Sequence, residues 1–350
     1  MNKREIEFDL MRLMAMLAVI VTHVCGSEIH TLSVNSSDFI WLNMIRAALT
    51  WDVPIFVMIS GRFFLDIRRR ITIKRIYTKY IKHLVIAFLA WSFVYTIYYM
   101  TVSYMNGNNV FDMWKEYIFE FLTGPYHMWY IFMIIALYII TPILRKISEE
   151  KKMMEYFILL FFVSQFIQQY GAHLPIIGET ITTILNKSYF CMTLGYTGYF
   201  ILGYYLFRYQ ISNKKEIALY ILTIFSVLFS CVGTTFQSMQ DGVLNEFIST
   251  YQTPNVIIES CGIYVFFIKK RYGIKFNNYV ENFILTLGKW GLGIYFVHAL
   301  VLEILSFTGI SPILITPLFG VGLMSIVVFI ISIILVWILR KIPFLNKYMM

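Results

Sequence analysis

About ten apolar segments of some 20 residues, separated by short polar connections, limit the folds open to this chain. Hydrophobic residues make up 59% of the 350 residues and charged residues only 14%, whereas a soluble domain carries about 25% charged residues. Each segment has the length that a helix needs to cross a bilayer, and none shows the alternation of a β-barrel. The sequence therefore predicts an all-α, polytopic membrane helix bundle with about ten transmembrane helices, in segments 8–27, 41–65, 83–103, 127–147, 153–170, 189–208, 217–236, 252–268, 283–305 and 318–339.

Lysine and arginine are concentrated in alternate connections between these segments. The strongly basic connections are 66–82, 143–152, 208–216 and 269–282. The intervening connections hold only Lys115 and Lys187. Because basic connections stay on the cytoplasmic side of a membrane, this asymmetry predicts that both termini are cytoplasmic. No repeat or linker interrupts the pattern, so we expect residues 1–350 to form a single transmembrane domain.

The net charge, the cysteine spacing and the lack of certain motifs exclude several classes of function. The net charge of +9 is explained by the basic connections and requires no nucleic acid partner. The four cysteines lie in or beside apolar segments without CxxC spacing, which indicates buried apolar residues rather than metal ligands or disulfides. No metal is expected. A P-loop, an HExxH motif and a G-x-S-x-G elbow are all absent from the sequence, so ATP-driven transport and serine hydrolysis have no support. Arg12 inside the first apolar segment argues against a cleaved signal peptide.

The first apolar segment carries three ionisable residues, Asp9, Arg12 and His23. Arg12 and His23 are eleven residues apart, about three helical turns, so both point the same way, and Asp9 precedes Arg12 by nearly one turn. An unpaired arginine within a bilayer costs on the order of 3 kcal/mol or more, so such residues face a protein interior or a wet cavity. A purely structural histidine and a simple Asp9–Arg12 ion pair are the alternatives.

The second apolar segment places Asp52 near its outer end and Arg62 near its inner end. Pro54 interrupts the backbone hydrogen bonds, and Gly61 permits close approach of another helix. The basic stretch that follows, from Arg68 and Arg69 onward, has two readings. It is either a topology signal that meets lipid headgroups or a cytoplasmic site in which arginines grip the phosphates of an anionic cofactor.

Three later segments add polar groups within the bilayer. His127, Tyr130 and Tyr138 share a helix face in the fourth segment, and His298 in the ninth lies at a depth similar to that of His23. Glu259 lies near the middle of the eighth segment, and a carboxylate at that depth is a candidate to orient a histidine or to bind a hydroxyl.

Together these pieces resemble the membrane acyltransferase-3 family. The resemblance rests on Arg-x10-His in the first segment, on VPIFVMISGRFF (53–64) with the basic stretch after it, on HMWYIFMIIALYIITP (127–142) and on LGIYFVHAL (292–300). It covers essentially the whole chain, and within the family the chain looks most like stand-alone surface-polysaccharide O-acetyltransferases of the enterobacterial common antigen type.

The resemblance implies transfer of an acetyl group from cytoplasmic acetyl-CoA to a hydroxyl of a glycan or lipid-linked sugar, in a bacterial plasma membrane. His23 would act as general base or carry the acetyl group transiently, because imidazole is largely neutral at pH 7. Arg12, with Asp9, would place the thioester. From its position alone, Glu259, or alternatively Asp52, would orient His23. The expected cofactor-binding residues are Arg62, Arg68 and Arg69.

Two other functions fit a polar membrane interior. A transporter or flippase for a small solute or lipid-linked sugar would also need one, although Pro54 has no counterpart in the second half of the chain. A non-catalytic accessory subunit of polysaccharide synthesis would tolerate substitution of Arg12 and His23. The acceptor sugar, the acyl group and the oligomeric state are not encoded in any recognisable pattern.

Overall fold

The computed structural model describes residues 5–188, 195–270, 276–314 and 316–349. Throughout these ranges the chain forms helices joined by turns and loops, without a β-strand. The helices are α1 (Ile6–Ile29), α2 (Ser37–Ala48), α3 (Asp52–Phe64), α4 (Ile73–Arg75), α5 (Lys82–Met105), α6 (Trp114–Thr123), α7 (Trp129–Ile147), α8 (Lys151–Gln169), α9 (Gly178–Ser188), α10 (Gly195–Arg208), α11 (Asn213–Asp241), α12 (Pro254–Lys270), α13 (Asn278–Phe307), α14 (Pro317–Leu339) and α15 (Pro343–Tyr348). The prediction of an all-α fold is confirmed.

Seven helical stretches within the described ranges are long and apolar enough to cross a membrane. They are Ile6–Ile29, Ser37–Phe64, Ile73–Met105, Trp114–Ile147, Asn213–Asp241, Asn278–Phe307 and Pro317–Leu339. The other three predicted segments fall on α8, α10 and α12, which are helical but shorter or less apolar, and the first six residues of segment 189–208, including Cys191, lie outside the described residues. The chain is therefore a multi-pass membrane protein, while ten crossings remain a prediction.

The connections predicted to share one side of the membrane meet at one end of the bundle, here called the basic end. The guanidinium of Arg145 donates to the carbonyl oxygens of Phe64, Asp66 and Arg69, and so fixes the loop after α3 to α7. Arg208 donates to the carbonyl of Ser148 between α7 and α8. The basic connections thus hold one another in place as well as carrying charge.

The second predicted segment is two helices rather than one. The sequence predicted an interruption of segment 41–65 at Pro54, but the break lies before it: α2 ends at Ala48 and α3 begins at Asp52. Pro54 lies in the first turn of α3, where its missing N–H group loses no helical hydrogen bond. The break places the carboxylate of Asp52 at the N-terminus of a helix inside the bundle.

Helices α3 and α10 pack unusually closely. A Cβ atom on Gly61 would lie 1.8 Å from the carbonyl oxygen of Phe200, and one on Gly203 would lie 2.0 Å from that of Met58. The two glycines therefore allow backbone to meet backbone, as small residues do at membrane helix contacts. This contact fixes α3, and with it Ser60 and Arg62, against the rest of the bundle.

Candidate functional site

A cavity of about 290 Å³ opens between α1, α3, α7 and α13. Arg12 and Lys289 lie toward the basic end, and His23, Asp52 and Trp129 toward the opposite end. The remaining lining residues are Met16, Val19, Val53, Phe56, Ser60, His127, Tyr130, Tyr251, Gly288, Gly291, Leu292 and Tyr295. The predicted placement of Arg12 and His23 along one face of α1 therefore puts both side chains on the same cavity.

The Asp9–Arg12 pair forms the inner part of this arrangement. Arg12 Nη1 donates to Asp9 Oδ1 at 2.7 Å, and the Asp9 side chain is fully buried whereas that of Arg12 is 28% exposed. Asp9 packs against α13 at Gly288, where a Cβ atom would lie 2.6 Å from Oδ1. The Asp9 carboxylate therefore holds the Arg12 guanidinium in place and does not itself line the cavity.

Three histidines meet at the other part of the cavity. The ring centroids of His23 and His298 are 5.4 Å apart in a stacked arrangement, and His127 lies 6.5 Å from His23 and 5.4 Å from His298. The sequence had placed His23 and His298 at similar depth, and the fold brings them into contact. The participation of His127 in the same cluster was not predicted.

The hydrogen bonds of this cluster leave imidazole nitrogens without a partner. His298 Nδ1 lies 2.7 Å from the carbonyl oxygen of Tyr295, and since a carbonyl only accepts, Nδ1 must carry the proton. In neutral His298, Nε2 then holds a lone pair, and it is buried without a partner among the described residues, as are both ring nitrogens of His127. Buried polar atoms without partners are rare and usually meet a ligand, an ion or water.

A break in the chain before α7 directs His127 into the cavity. Gly124 adopts φ 72°, a conformation that favours glycine, and Pro125 then leads into a 3₁₀ turn over Tyr126–Met128. The hydroxyl of Tyr295 donates to the carbonyl oxygen of His127 at 2.7 Å and fixes this turn to α13. In the sequence, the Gly124-Pro125 pair before His127 could have indicated this break.

Asp52 shares the cavity with His23. Its Oδ1 accepts from the backbone N–H of Val53 at 2.6 Å, and its Oδ2 accepts from the hydroxyl of Thr22 at 3.2 Å. The N-terminus of α3 also favours negative charge at this position. Of the two carboxylates considered as partners for His23, Asp52 is the one that lines its cavity.

Glu259 lies in a separate buried cluster. Its Oε1 accepts from the hydroxyl of Ser230 at 2.6 Å, and Asn255 Nδ2 donates to the same hydroxyl oxygen. Glu259 does not line the cavity that holds His23. The structure therefore gives no geometric support to its predicted role beside His23, because its polar contacts run between α11 and α12.

At the basic end, Arg62 and Arg68 line a pocket of about 550 Å³ together with Arg208. Arg62 is buried and forms ion pairs with Glu5 at 3.3 Å and Asp66 at 3.0 Å, while its guanidinium lies 3.5 Å from the ring centre of Phe207. Two of the three arginines expected to meet phosphates therefore already face carboxylates, since Arg68 also binds Asp66 at 2.9 Å.

The Asp66 carboxylate is the centre of this network. Burial alone would raise its pKa, but hydrogen bonds from the side chain and backbone of Arg68 and the charges of Arg68 and Arg62 lower the pKa to about 2. Arg69 stands apart from Asp66, with its guanidinium 4.6 Å from the ring centre of Phe63. Arg12 and Arg62 lie over the same ring, at 5.2 Å and 5.4 Å.

A second basic opening at this end combines the end of the predicted basic stretch with the last helix, α15. A groove of about 700 Å³ is lined by Lys79, Lys82, His83, Lys347 and Tyr138, among other residues. No ion pair links any of its basic groups to a carboxylate within the described ranges. Lys79 to His83 belong to the basic stretch already noted, but no local pattern could place Lys347 of α15 beside them.

Ser60 connects this groove with the central cavity. Ser60 lines the cavity and lies close to the hydroxyls of Tyr130 and Tyr138, and Tyr138 lines the groove. The ring of Tyr138 also stacks on Phe64 at 4.1 Å. Ser60 and Tyr138 therefore lie between the cavity and the groove.

Within the part of the chain that the structure describes, no group of three or more His, Cys, Asp or Glu residues is arranged to hold a metal ion. Cys25, Cys231 and Cys261 are free thiols. The site is thus a cavity with the histidine cluster toward one end and Arg12 toward the basic end. The basic groove lies close to it.

Comparison with known proteins agrees with this architecture. The chain matches no curated protein and no solved structure. The profile of one family, described as an acyltransferase domain, matches residues 5–340, which is nearly the entire chain. The chain therefore belongs to the acyltransferase-3 family of membrane proteins.

Proposed function

We propose that this protein is a membrane O-acetyltransferase that moves an acetyl group from cytoplasmic acetyl-CoA to a hydroxyl of a surface glycan or lipid-linked sugar. The observation that carries the proposal is the cavity lined by Arg12, His23 and His127. His298 stacks on His23, and buried imidazole nitrogens of His127 and His298 have no partner in the described ranges. A bacterial plasma membrane and a surface-polysaccharide enzyme of the enterobacterial common antigen type follow from the sequence resemblance.

His23 is the proposed general base, because it lines the cavity. It takes the proton of the acceptor hydroxyl while the hydroxyl oxygen bonds to the thioester carbon, and the carbon–sulfur bond breaks to release the thiol. Alternatively, His23 attacks the thioester first and passes the acetyl group on. His298 stacks on His23 and positions its ring in either route, and Asp52 lines the same cavity.

Arg12 is placed to stabilise the negative charge that develops on the thioester oxygen. It keeps its charge through the pair with Asp9 and reaches the cavity, and fixed positive groups aimed at a developing oxyanion are among the largest contributions to catalysis. Asp9 acts through Arg12 and is a positioning residue.

The donor phosphates are proposed to bind in the groove of Lys79, Lys82, His83 and Lys347. These cations have no carboxylate partner in the described ranges, whereas Arg62 and Arg68 are paired with Glu5 and Asp66. An incoming phosphate at the arginines would have to displace an existing ion pair. We therefore prefer the groove to Arg62 and Arg68 as the donor site. The thioester is proposed to enter the cavity beside Ser60 and Tyr138.

The family match does not favour a transporter. The broken second span, α2–α3, is a feature that this chain shares with many transporters. A transporter would move a solute without consuming acetyl-CoA, so the same assay separates the two functions.

The test is incubation of the purified protein in nanodiscs with acetyl-CoA labelled in the acetyl group. The wild type is compared with His23→Ala and with His30→Ala, an exposed histidine just after α1, as a matched control. We expect CoA release or label transfer in the wild type and in His30→Ala but not in His23→Ala, and label retained on the wild-type protein would indicate the acyl-histidine route. A well-folded wild type that neither binds nor consumes acetyl-CoA would overturn the proposal.

A further inference from the structure

A second, smaller cavity of about 240 Å³ adjoins the central one, away from the basic end. It lies between α1, α2 and the segment that connects α11 to α12. Tyr251 lines both cavities. Thr22 lines the smaller cavity and donates to Asp52, which lines the larger. Tyr251 and the Thr22–Asp52 hydrogen bond therefore lie between the two cavities.

The walls of the smaller cavity are polar although it is enclosed by apolar helices. Arg46 of α2 forms an ion pair with Glu246, and the two side chains are 26% and 44% exposed. Asn43 is held by Thr235. The hydroxyl of Thr250 is buried without a partner within the described ranges. A polar cavity with an unsatisfied hydroxyl is suited to a ligand that carries several hydroxyl groups.

A row of aromatic rings begins at Tyr251, which lines both cavities, and continues through Trp129 of the central cavity. The ring of Tyr251 lies 5.7 Å from that of Trp129, which in turn lies 5.8 Å from Tyr196. Aromatic rings with a polar edge offer an apolar face beside hydrogen-bonding groups. Sugar rings have this same combination of an apolar face and polar edges.

The charges favour a neutral ligand over an ionic one. Arg46 and Glu246 neutralise each other, so an anionic or a cationic ligand would leave one partner uncompensated. A neutral sugar can instead donate a hydroxyl proton to the carboxylate and accept from the guanidinium. The volume is below the ~300 Å³ at which pockets for drug-sized ligands begin, which limits the occupant to about one ring.

Resting on the proposed function, we propose that this cavity is an acceptor subsite that binds a neutral sugar ring adjacent to the one acylated, with Arg46 and Glu246 as specificity-determining residues. The ring next to it would then present a hydroxyl to His23 in the central cavity. The acceptor class is accordingly an uncharged oligosaccharide or the uncharged sugar portion of a lipid-linked glycan.

The test measures label transfer from acetyl-CoA to a panel of neutral N-acetylhexosamine disaccharides and to the matching hexuronic acid disaccharides. We expect neutral disaccharides to be acetylated preferentially. Arg46→Gln and Glu246→Gln should each raise KM for the disaccharide about tenfold to hundredfold, the loss expected for one charge-assisted hydrogen bond, with kcat little changed. Asp112→Asn, an exposed acid in the loop before α6, is the control and should leave KM unchanged.

The exchanged pair, Arg46→Glu with Glu246→Arg, separates recognition from structure. If the ion pair only holds the fold, the exchange restores both the melting temperature and KM. If the pair recognises the sugar, the exchange restores the melting temperature, but KM for the disaccharide stays high. Unchanged KM in both single variants, or a wild type that releases CoA through His23 but labels none of the disaccharides, overturns the subsite. Absence of His23-dependent CoA release instead overturns the proposed function.

Discussion

The basic end and the histidine part of the cavity hold their polar groups in opposite ways. At the basic end, Arg62 and Arg68 both form ion pairs with Asp66, and Arg62 also pairs with Glu5. At the histidine cluster, the nitrogens of His127 and Nε2 of His298 have no partner in the described ranges. Paired charges stabilise a fold and resist displacement, whereas unpartnered groups are available to a substrate. The comparison assigns structure to the arginines of the first region and chemistry to the histidines of the second.

The largest expected effect is the loss of His23. His23→Ala should lower kcat by about 10²–10⁴-fold, the contribution typical of a general base, because His23 is the proposed acceptor of the hydroxyl proton. The melting temperature should stay close to that of the wild type, since His23 has no buried ion pair to lose. Initial rates of CoA release and differential scanning fluorimetry measure the two quantities, and a large drop in melting temperature would contradict the assignment.

For Asp66 we expect a loss of stability with little loss of activity. Asp66→Asn removes the carboxylate shared by Arg62 and Arg68 and should destabilise the protein on the order of 3 kcal/mol, as breaking a buried ion pair does. The rate per folded molecule should change little. Denaturant unfolding in detergent measures the loss, with Glu149→Gln, an exposed ion-pair partner of Lys146, as the control. A stable but inactive Asp66→Asn variant would contradict this assignment and would indicate that the basic end takes part in the reaction.

Donor binding should depend on the lysine groove. Replacing Lys79 and Lys82 together by glutamine should raise KM for acetyl-CoA about tenfold, because each loses a charge-assisted contact to phosphate, while kcat changes little. The matched control is Arg69→Gln with Arg70→Gln, at the exposed loop after α3. A rise in KM confined to the arginine variant would restore the arginine site predicted from the sequence.

The smallest expected effect is the pH dependence of stability. The pKa of Asp66 falls from 3.8 to about 2 on folding, so its contribution is fully present above pH 3.8 and is lost as the pH falls through about 2. The difference in melting temperature between the wild type and Asp66→Asn should therefore be constant near neutral pH and shrink between these values. A difference that is independent of pH over this range would show that Asp66 is not ionised in the native protein.

Part of this contrast could be predicted from the sequence, and part could not. The spacing of Arg12 and His23 on α1 placed both on one cavity, because helical periodicity is a local property. The Arg62–Asp66 pair follows the i, i+4 rule and could have been foreseen. The pairing of Arg62 with Glu5, the position of Lys347 beside Lys82 and the separation of Glu259 from His23 depend on how distant helices pack, which no local pattern encodes.

The most direct test of the account is the sidedness of donor use. Sealed proteoliposomes are prepared with acetyl-CoA outside only, and the share of molecules with the basic end outward is measured by labelling the Arg70→Cys variant with a membrane-impermeant thiol reagent. The account predicts that His23-dependent CoA release scales with that share and is absent from molecules of the opposite orientation. Release from the molecules whose basic end faces the sealed interior would contradict it.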